Sequence, residues 1–316
     1  MHKALFLAVV LLIALHAHAQ LFGPRVILST NFSWPRNLGV RDIDDDGLPE
    51  VFVESQLDGR ISLFKNQGDF NFGFTLLMSL FPSGFYDVHI EDLDGDGSWE
   101  LWSGGFLGTV YHSQVAPGVW SWPASNRTVV DSTLASWLLF DFIDSDSVRD
   151  VVMSSWPGNI AIWFRGLGSN SFSAPITIIN VPNANQARVA DFDDDFDNDL
   201  VLVSAGDSSV RVFFNADGTG TWDAPLVLST SSNGVFGCVT ADFDVDGHED
   251  IVTASGQKSD SKVEFFRNLG GRVFASSLGI CFAPCNGALR VLAHDGMERF
   301  RDAKLTHQAY ARATLS

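Results

Sequence analysis

Short apolar and alternating runs recur along the chain and are separated by clusters of Gly and Asn. The clearest runs are residues 50–54, 61–65, 151–154, 160–164, 200–204 and 210–214. Runs of this length, bounded by turn residues, are typical of β-strands. Nothing in this region sustains a helical period, so the sequence predicts an all-β protein.

A short acidic stretch occurs five times along the chain. Its first positions are Asp42, Asp92, Phe142, Asp191 and Asp242, so the intervals are 50, 50, 49 and 51 residues. A second landmark follows the acidic stretch in several copies, as FSAP, WDAP and the looser FNFG. So regular a period indicates a repeat architecture.

The pattern predicts four short strands in each repeat, which is typical of the four-stranded blade of a β-propeller. An open stack or a sandwich gives no reason for so strict a period, whereas a ring of blades places every copy in an equivalent position. Five repeats are recognisable in residues 20–280. Residues 281–316 lack the acidic motif and form a divergent tail or an incomplete blade. A sixth candidate for a fourth strand lies at 25–29, so five, six or seven blades are all compatible with the sequence.

The acidic stretches carry carboxylates at positions 1, 3, 5 and 9, with Gly at position 6 in three copies. Alternate side chains converge when Gly lets the backbone turn sharply, and such a cage of hard oxygens suits Ca²⁺. The predicted calcium ligands are Asp42, Asp44, Asp46, Glu50, Asp92, Asp94, Asp96, Glu100, Asp144, Asp146, Asp150, Asp191, Asp193, Asp195, Asp199, Asp242, Asp244, Asp246 and Asp250.

Two of the five stretches depart from this pattern. The fourth has Phe196 at the Gly position but keeps all four carboxylates, whereas the third has Phe142 at position 1 and Ser147 at position 6. Calcium is therefore expected in the fourth stretch rather than in the third. Mg²⁺ is an alternative ion, but it prefers fewer carboxylates and retains water. Solvated acidic turns are a further alternative that would not require the same spacing five times. An EF-hand would need Glu at position 12 and flanking helices, which these stretches lack.

From about Leu21 to Ile280 the chain resembles the FG-GAP or VCBS-type repeats of integrin α-subunit-like β-propellers. The resemblance rests on the DxDxDG loop, the apolar strand after it and the Phe-Gly or Ala-Pro landmark. It implies that the loop joins the first and second strands of a blade and binds calcium there. It also implies extracellular adhesion or ligand recognition, although propellers of this kind are also attached to enzymes.

The N-terminus has the organisation of a secretory signal peptide over residues 1–19. Lys3 precedes an apolar run over 4–15, and Ala17-His18-Ala19 offers a small-residue cleavage site. A membrane anchor would need about 20 apolar residues, more than this run provides. The sequence therefore predicts a secreted protein with no membrane span after the signal is removed.

Composition narrows the choice of partners. The formal net charge is −18 at pH 7, which argues against nucleic acid and anionic membranes. Three cysteines are too few for a disulfide framework, although Cys281 and Cys285 could pair. Sequons at Asn31 and Asn126 would make the protein a glycoprotein in a host that glycosylates its secreted proteins.

No catalytic residue is assigned, because the chain contains no HExxH, GxSxG or P-loop motif. The first functional hypothesis is a secreted calcium-binding propeller that recognises an extracellular protein or carbohydrate ligand. The second is a propeller enzyme, a lyase or glycosidase, that acts on extracellular polysaccharide. Some of the nine tryptophans could form sugar platforms, although packing between blades is the simpler expectation. Trp120 and Trp122 are the exception, because they alternate around Ser121 in a turn-rich segment; the others considered are Trp34, Trp99, Trp102, Trp156 and Trp222.

Overall fold

The computed structural model describes residues 26–79, 85–105, 108–116, 119–120, 128–256 and 262–282. The predicted signal peptide, Trp122, Asn126 and residues 283–316, which include Cys285, lie outside the described residues. Every regular element in the described part is a β-strand, as the sequence predicts. No helix there has the length and apolarity required to cross a bilayer.

In chain order the strands are β1 (Pro35–Arg41), β2 (Glu50–Ser55), β3 (Arg60–Asn66), β4 (Phe72–Ser79), β5 (Phe85–Glu91), β6 (Glu100–Gly105), β7 (Gly108–Ala116), β8 (Val119–Trp120), β9 (Thr128–Asp131), β10 (Trp137–Asp141), β11 (Asp150–Ser155), β12 (Ile160–Phe164), β13 (Gly166–Gly168), β14 (Ser171–Phe172), β15 (Ile176–Asn180), β16 (Ala184–Ala190), β17 (Asp199–Ser204), β18 (Ser209–Phe213), β19 (Leu226–Ser229), β20 (Val235–Ala241), β21 (Asp250–Ser255), β22 (Lys262–Phe266) and β23 (Leu278–Phe282).

These strands form five antiparallel sheets of the same plan, which we call blades 1 to 5. Their strand orders are β1-β2-β3-β4, β5-β6-β7-β9, β10-β11-β12-β15, β16-β17-β18-β19 and β20-β21-β22-β23. Strand β8 pairs with the free end of β7, and β13 with β14 forms a small ribbon. The repeat of about 50 residues is therefore one blade, as predicted.

The predicted strand at 25–29 is wrong for the part that the structure describes. Residues 26–29 adopt no strand, and among the described residues no sheet edge pairs with them. A strand persists only where a neighbouring edge satisfies its backbone groups. Further along this segment, the ring of Phe32 instead packs edge-on to Phe64 of β3, with ring centroids 6.0 Å apart.

The hydrophobic core lies between successive blades. Every residue of the second strands β6, β11, β17 and β21 is buried, because both faces of each strand are covered. Four apolar clusters each combine residues of two consecutive blades. Trp102 and Trp163 are buried in these clusters, which confirms packing between blades for those tryptophans. The blades therefore stack face to face in chain order.

Amide side chains join each of three blades to the one before it. The Nδ2 group of Asn215 in blade 4 donates to the carbonyl of Ile143 at 2.8 Å. Asn268 in blade 5 donates in the same way to Phe192, at 2.8 Å. In blade 2 the equivalent residue is Gln114, which donates to Ile43 at 3.2 Å. In the sequence, such residues predicted only turns, but the recurrence of an amide side chain near the end of the third strand was a signal for these contacts.

A buried carboxylate joins blades 1, 2 and 3 at their first strands. Asp87 of β5 accepts a hydrogen bond from Asn37 Nδ2 at 3.0 Å and from the Leu138 N–H at 2.8 Å. The Nε2 atom of His89 also lies 3.1 Å from Asp87 Oδ2, the oxygen that accepts the Leu138 N–H. Both oxygens of Asp87 are thus engaged in holding the first strands together.

The second position of the acidic stretch shows where this stacking stops. Ile43, Leu93, Ile143 and Phe192 are buried beneath the next blade, whereas Phe243 in blade 5 is 41% exposed. Among the described residues, nothing covers Phe243 in the way that each neighbouring blade covers the other four. This face of blade 5 is therefore open within the part of the chain that the structure describes.

The thiol of Cys238 is enclosed between blades 4 and 5. Burial raises the pKa of this thiol to about 12, so the reactive thiolate is scarce at neutral pH. We expect Cys238 to resist iodoacetamide in the native protein and to react fully in denaturant, as measured by peptide mass spectrometry. Rapid labelling under native conditions would mean that blades 4 and 5 separate readily.

Candidate metal sites

The five acidic stretches form loops at equivalent places in the five blades. We call them loop 1 (42–50), loop 2 (92–100), loop 3 (142–150), loop 4 (191–199) and loop 5 (242–250). Each connects the first strand of its blade to the second. The structure thus places the loops where the family resemblance implied.

Four of the loops share a backbone path with two left-handed residues. Position 4 has positive φ in loops 1, 2, 4 and 5, and so does position 6. The residues concerned are Asp45, Gly95, Asp194 and Val245 at position 4, and Gly47, Gly97, Phe196 and Gly247 at position 6. The N–H of position 6 donates to the carboxylate of position 1 in all four, at 2.9 to 3.1 Å. This path turns the alternate carboxylates towards one point.

The same four loops bring acidic groups together closely enough to share one ion. In each group, one oxygen from every member lies within 4.8 Å of the others. Oxygens that bind one Ca²⁺ at about 2.3–2.6 Å lie no more than about 5 Å apart, so the spacing fits calcium. The groups are Asp42, Asp44 and Glu50; Asp92, Asp94 and Asp96; Asp191, Asp193 and Asp199; and Asp242, Asp244 and Asp246.

Loop 1 has several buried carboxylate oxygens that accept no hydrogen bond. Buried oxygens of Asp42, Asp44 and Glu50 have no hydrogen-bond partner. Glu50 is only 1% exposed, so solvent does not satisfy its free Oε1. An unpaired buried acceptor costs about 1–3 kcal/mol, and more when it is charged. A bound cation would satisfy all three oxygens at once.

Loop 3 follows a different path from the others. Neither Ser145 nor Ser147 has positive φ, and position 1 is Phe142. Among the described residues, Asp144, Asp146 and Asp150 do not form a group with the spacing found in the other loops. The departures that the sequence shows at positions 1 and 6 account for this, because the converging path needs left-handed residues.

The remaining predicted ligands lie outside the four groups and bond the backbone. Asp46 and Asp195 accept the N–H of position 7 at 2.9 and 3.0 Å. Glu100 and Asp250 accept the N–H of position 2 at 3.4 and 3.1 Å. These contacts fix the shape of each loop.

The carboxylate at position 9 has a structural role that the sequence analysis missed. Asp150 Oδ2 accepts the Ile143 N–H at 2.8 Å, and Oδ1 accepts the Gly166 N–H at 2.6 Å. Asp199 and Asp250 repeat this arrangement in their own blades. Position 9 therefore ties the loop to the segment that follows the third strand, whether or not it also contacts an ion.

Burial without a positive partner makes several of these carboxylates weak acids. Burial raises the pKa of Glu100 to about 7 and that of Asp199 to about 7. It raises the pKa of Asp150 to about 6, against three backbone hydrogen bonds that lower it. Nearby carboxylates add to the increase at Glu100 and Asp199. A cation in the loop would have the opposite effect and keep the groups ionised.

Phe196 holds a left-handed conformation without compensating burial. Its φ is 71° and its side chain is 97% exposed. A bulky residue in this region costs on the order of 1 kcal/mol relative to glycine. We expect Phe196→Gly to raise the unfolding free energy by about 1 kcal/mol, measured by urea denaturation. Leu57→Gly, also at an exposed apolar residue but without positive φ, should give no such gain.

A family model for the FG-GAP-like repeat matches residues 22–103 and 191–253. The matched segments contain loops 1, 2, 4 and 5, which are the four with the shared backbone path. No curated protein has significant sequence similarity to the chain.

Three solved structures share the architecture at low sequence identity. A lectin from Agrocybe aegerita that recognises non-reducing terminal N-acetylglucosamine has a TM-score of 0.54 and 15% identity, over 80% of this chain and 68% of that one. A proposed 6-phosphogluconolactonase from Bacteroides fragilis has a TM-score of 0.51 and 10% identity, over 76% and 69%. The NanB sialidase of Streptococcus pneumoniae has a TM-score of 0.50 and 8% identity, over 81% and 63%. The chain therefore contains FG-GAP-like repeats over these two segments and has a β-propeller fold.

Proposed function

We propose that this protein is a secreted β-propeller whose acidic loops bind structural calcium and whose surface recognises an extracellular protein or carbohydrate. The ions stabilise the connection between the first two strands of a blade. Recognition belongs to the surfaces that the blades present. In this role the chain is a binding or adhesion module.

The observation that carries the calcium proposal is the set of buried, unpartnered oxygens in loop 1. Three like charges held this close repel one another by roughly 1 kcal/mol per pair in water and by more where the dielectric constant is lower. Ca²⁺ accepts several carboxylates at once, whereas Mg²⁺ keeps much of its water. The donor set therefore favours calcium.

The ligand proposal rests on aromatic side chains at the ends of the blades away from the loops. Trp34, which precedes β1, is 62% exposed, and Trp156 in the β11–β12 hairpin is 45% exposed. Trp156 stands edge-on to Tyr86 of the neighbouring blade, with ring centroids 6.4 Å apart. Exposed indole rings offer an apolar face to a sugar ring or to a partner protein. The fold alone does not choose between recognition and catalysis, since similar structures include a lectin and a sialidase.

Calcium removal tests the first part of the proposal. Each site saturated at 100 times its Kd adds about 2.7 kcal/mol to the unfolding free energy. We expect EGTA to lower the melting temperature of the mature chain strongly, and excess Mg²⁺ to restore little of it. Native mass spectrometry should find up to four bound calcium ions, one for each acidic group. An unchanged melting temperature with no bound calcium would refute the calcium role.

Trp156→Ala tests the second part. We expect the substitution to reduce binding to extracellular glycans and matrix proteins at least fivefold on a mixed array, while the melting temperature stays nearly unchanged. Phe70→Ala is a matched control, because Phe70 is also an exposed aromatic residue but lies in the β3–β4 connection of blade 1. Equal binding by both variants and the unmodified protein would exclude Trp156 from the recognition surface.

A further inference from the structure

In three of the five blades, a position near the end of the third strand places a positive side chain beside the acidic loop. In each blade, one residue of the third strand pairs with the second residue of the second strand, and the position in question comes directly after it. The pairs are Phe64 with Val51, His112 with Leu101, Phe164 with Val151, Phe213 with Leu200 and Phe266 with Ile251. The residues that occupy it in blades 1 to 5 are Lys65, Ser113, Arg165, Phe214 and Arg267. We call it the counter-ion position.

Where this residue is basic, it bridges the carboxylates of positions 3 and 5. Lys65 forms an ion pair with Asp44 and lies 3.9 Å from Asp46 in loop 1. Arg165 contacts Asp144 and Asp146 of loop 3 at 2.5 and 3.2 Å. Arg267 makes the same pair of contacts in loop 5, with Asp244 and with Asp246 at 2.9 Å. An ammonium or guanidinium group thus stands beside the carboxylates that a metal ion would use.

Loop 4 receives its positive charge from the next blade. Phe214 occupies the counter-ion position, and the guanidinium of Arg272 stacks over its ring at 4.6 Å. The same guanidinium contacts Asp193 of loop 4 at 2.5 Å and Asp223 at 2.6 Å. The charge is therefore supplied even though the local residue is aromatic.

Loop 2 differs from all the others. Its counter-ion position is Ser113, and within the described part of the chain no Lys or Arg forms an ion pair with Asp92, Asp94 or Asp96. Asp94 accepts a hydrogen bond from the neutral amide of Asn170 at 2.7 Å. Arg149 lies nearby, but it contacts the Glu91 carboxylate and the main-chain oxygen of Asp92. Within the described part of the chain, the carboxylates of Asp92, Asp94 and Asp96 thus have no basic side chain paired with them.

We propose that a basic side chain paired with the carboxylates of a loop lowers the divalent-cation affinity of that loop, so that loop 2, whose carboxylates have no such partner in the described part of the chain, binds calcium most tightly. A basic side chain competes with the metal for the same oxygens, and the metal must displace it. Lys65, Arg165 and Arg267 are about half exposed, so they can swing into solvent when an ion enters. This inference rests on the proposed calcium function and adds an order of site affinities.

Trp99 makes loop 2 observable on its own. It lies within loop 2, next to Glu100 and three residues after Asp96. Tb³⁺ uses the same hard oxygen ligands as Ca²⁺ and emits light when a nearby indole is excited. Trp99→Phe identifies the part of the emission that reports on loop 2. Calcium competition against this emission then gives the calcium affinity of that loop.

The decisive experiment introduces a positive side chain into loop 2. We expect Ser113→Lys to weaken Tb³⁺ and Ca²⁺ binding at loop 2 about tenfold, since a unit charge a few ångströms from the ion opposes its entry. Leu57→Lys adds the same charge in the β2–β3 hairpin, at the other end of blade 1 from loop 1, and should change the affinity less than twofold. Equal effects of the two lysines would overturn the inference while leaving calcium binding in place.

The reciprocal substitution removes the counter-ion of loop 1. Lys65→Ser should strengthen calcium binding there about tenfold, seen in calorimetry as a second tight site beside loop 2. Arg60→Ser removes a positive charge from the opposite end of the same strand, where Arg60 pairs with Asp58 at 3.8 Å, and should add no tight site. No calcium or terbium binding by the unmodified protein would refute the proposed function itself, a result distinct from unaltered affinities in the variants.

Discussion

Replacing Asp150 with alanine is expected to lower the unfolding free energy by about 4 kcal/mol or more, since three buried N–H donors would lose their acceptor at once. The donors are the main-chain groups of Ile143, Asp144 and Gly166, at 2.8, 3.2 and 2.6 Å. They belong to loop 3 and to the start of β13, so their loss would detach the loop from its blade. Urea denaturation of the variant measures the effect.

The same experiment separates a structural carboxylate from a metal ligand. Because loop 3 does not gather its carboxylates, the loss caused by Asp150→Ala should be equal in calcium and in EGTA. Asp42→Ala in loop 1 is the comparison, and it should cost much more in calcium than in EGTA, where only the hydrogen bond from the Gly47 N–H is lost. If Asp150→Ala lowered the unfolding free energy more in calcium than in EGTA, loop 3 would hold an ion. The distinction drawn between loop 3 and the other four loops would then be wrong.

The second large effect is a reversal of the pH dependence of stability when calcium is removed. Glu100 and Asp199 have pKa values of about 7 in the folded chain, well above those of an unfolded chain. The native state therefore binds more protons than the unfolded state between about pH 4 and 7, and the unfolding free energy falls as the pH rises through this range. Metal-free protein should melt at a higher temperature at pH 5.5 than at pH 8.

Saturating calcium should invert this order, since the ion favours ionised carboxylates and binds more weakly once they are protonated. Differential scanning calorimetry at both pH values, with calcium and with EGTA, provides the four melting temperatures. Glu100→Gln should reduce the pH effect in the metal-free protein, whereas Asp45→Asn removes an exposed charge and should not. A metal-free protein that is more stable at pH 8 would contradict the assignment of buried, neutral carboxylates.

Loop 3 and loop 4 show how far sequence patterns extend to the sites. Both depart from DxDxDG, but the sequence already favours an ion in loop 4, which keeps Asp at positions 1, 3, 5 and 9, over loop 3. The structure shows the backbone path that accounts for the difference. Phe196 takes a left-handed conformation that is costly for its type, so loop 4 keeps the shared path and brings Asp191, Asp193 and Asp199 together. Loop 3 has no such residue and does not. The two loops differ in whether the residues at positions 4 and 6 adopt a left-handed φ angle. The residue type alone does not decide this, because Phe196 adopts it at an energetic cost.

The sequence by itself determined the blade, the period and the position of the acidic loops, because these depend on local patterns that repeat along one chain. Residues far apart in the sequence decided the rest. Asn268 reaches Phe192, and Arg272 reaches Asp193, only after blades 4 and 5 have packed together. Burial between blades then determined which carboxylates are satisfied by the backbone, which are paired with a basic side chain and which are left for an ion. These contacts depend on the docking of whole sheets, and so the tertiary structure alone fixed them.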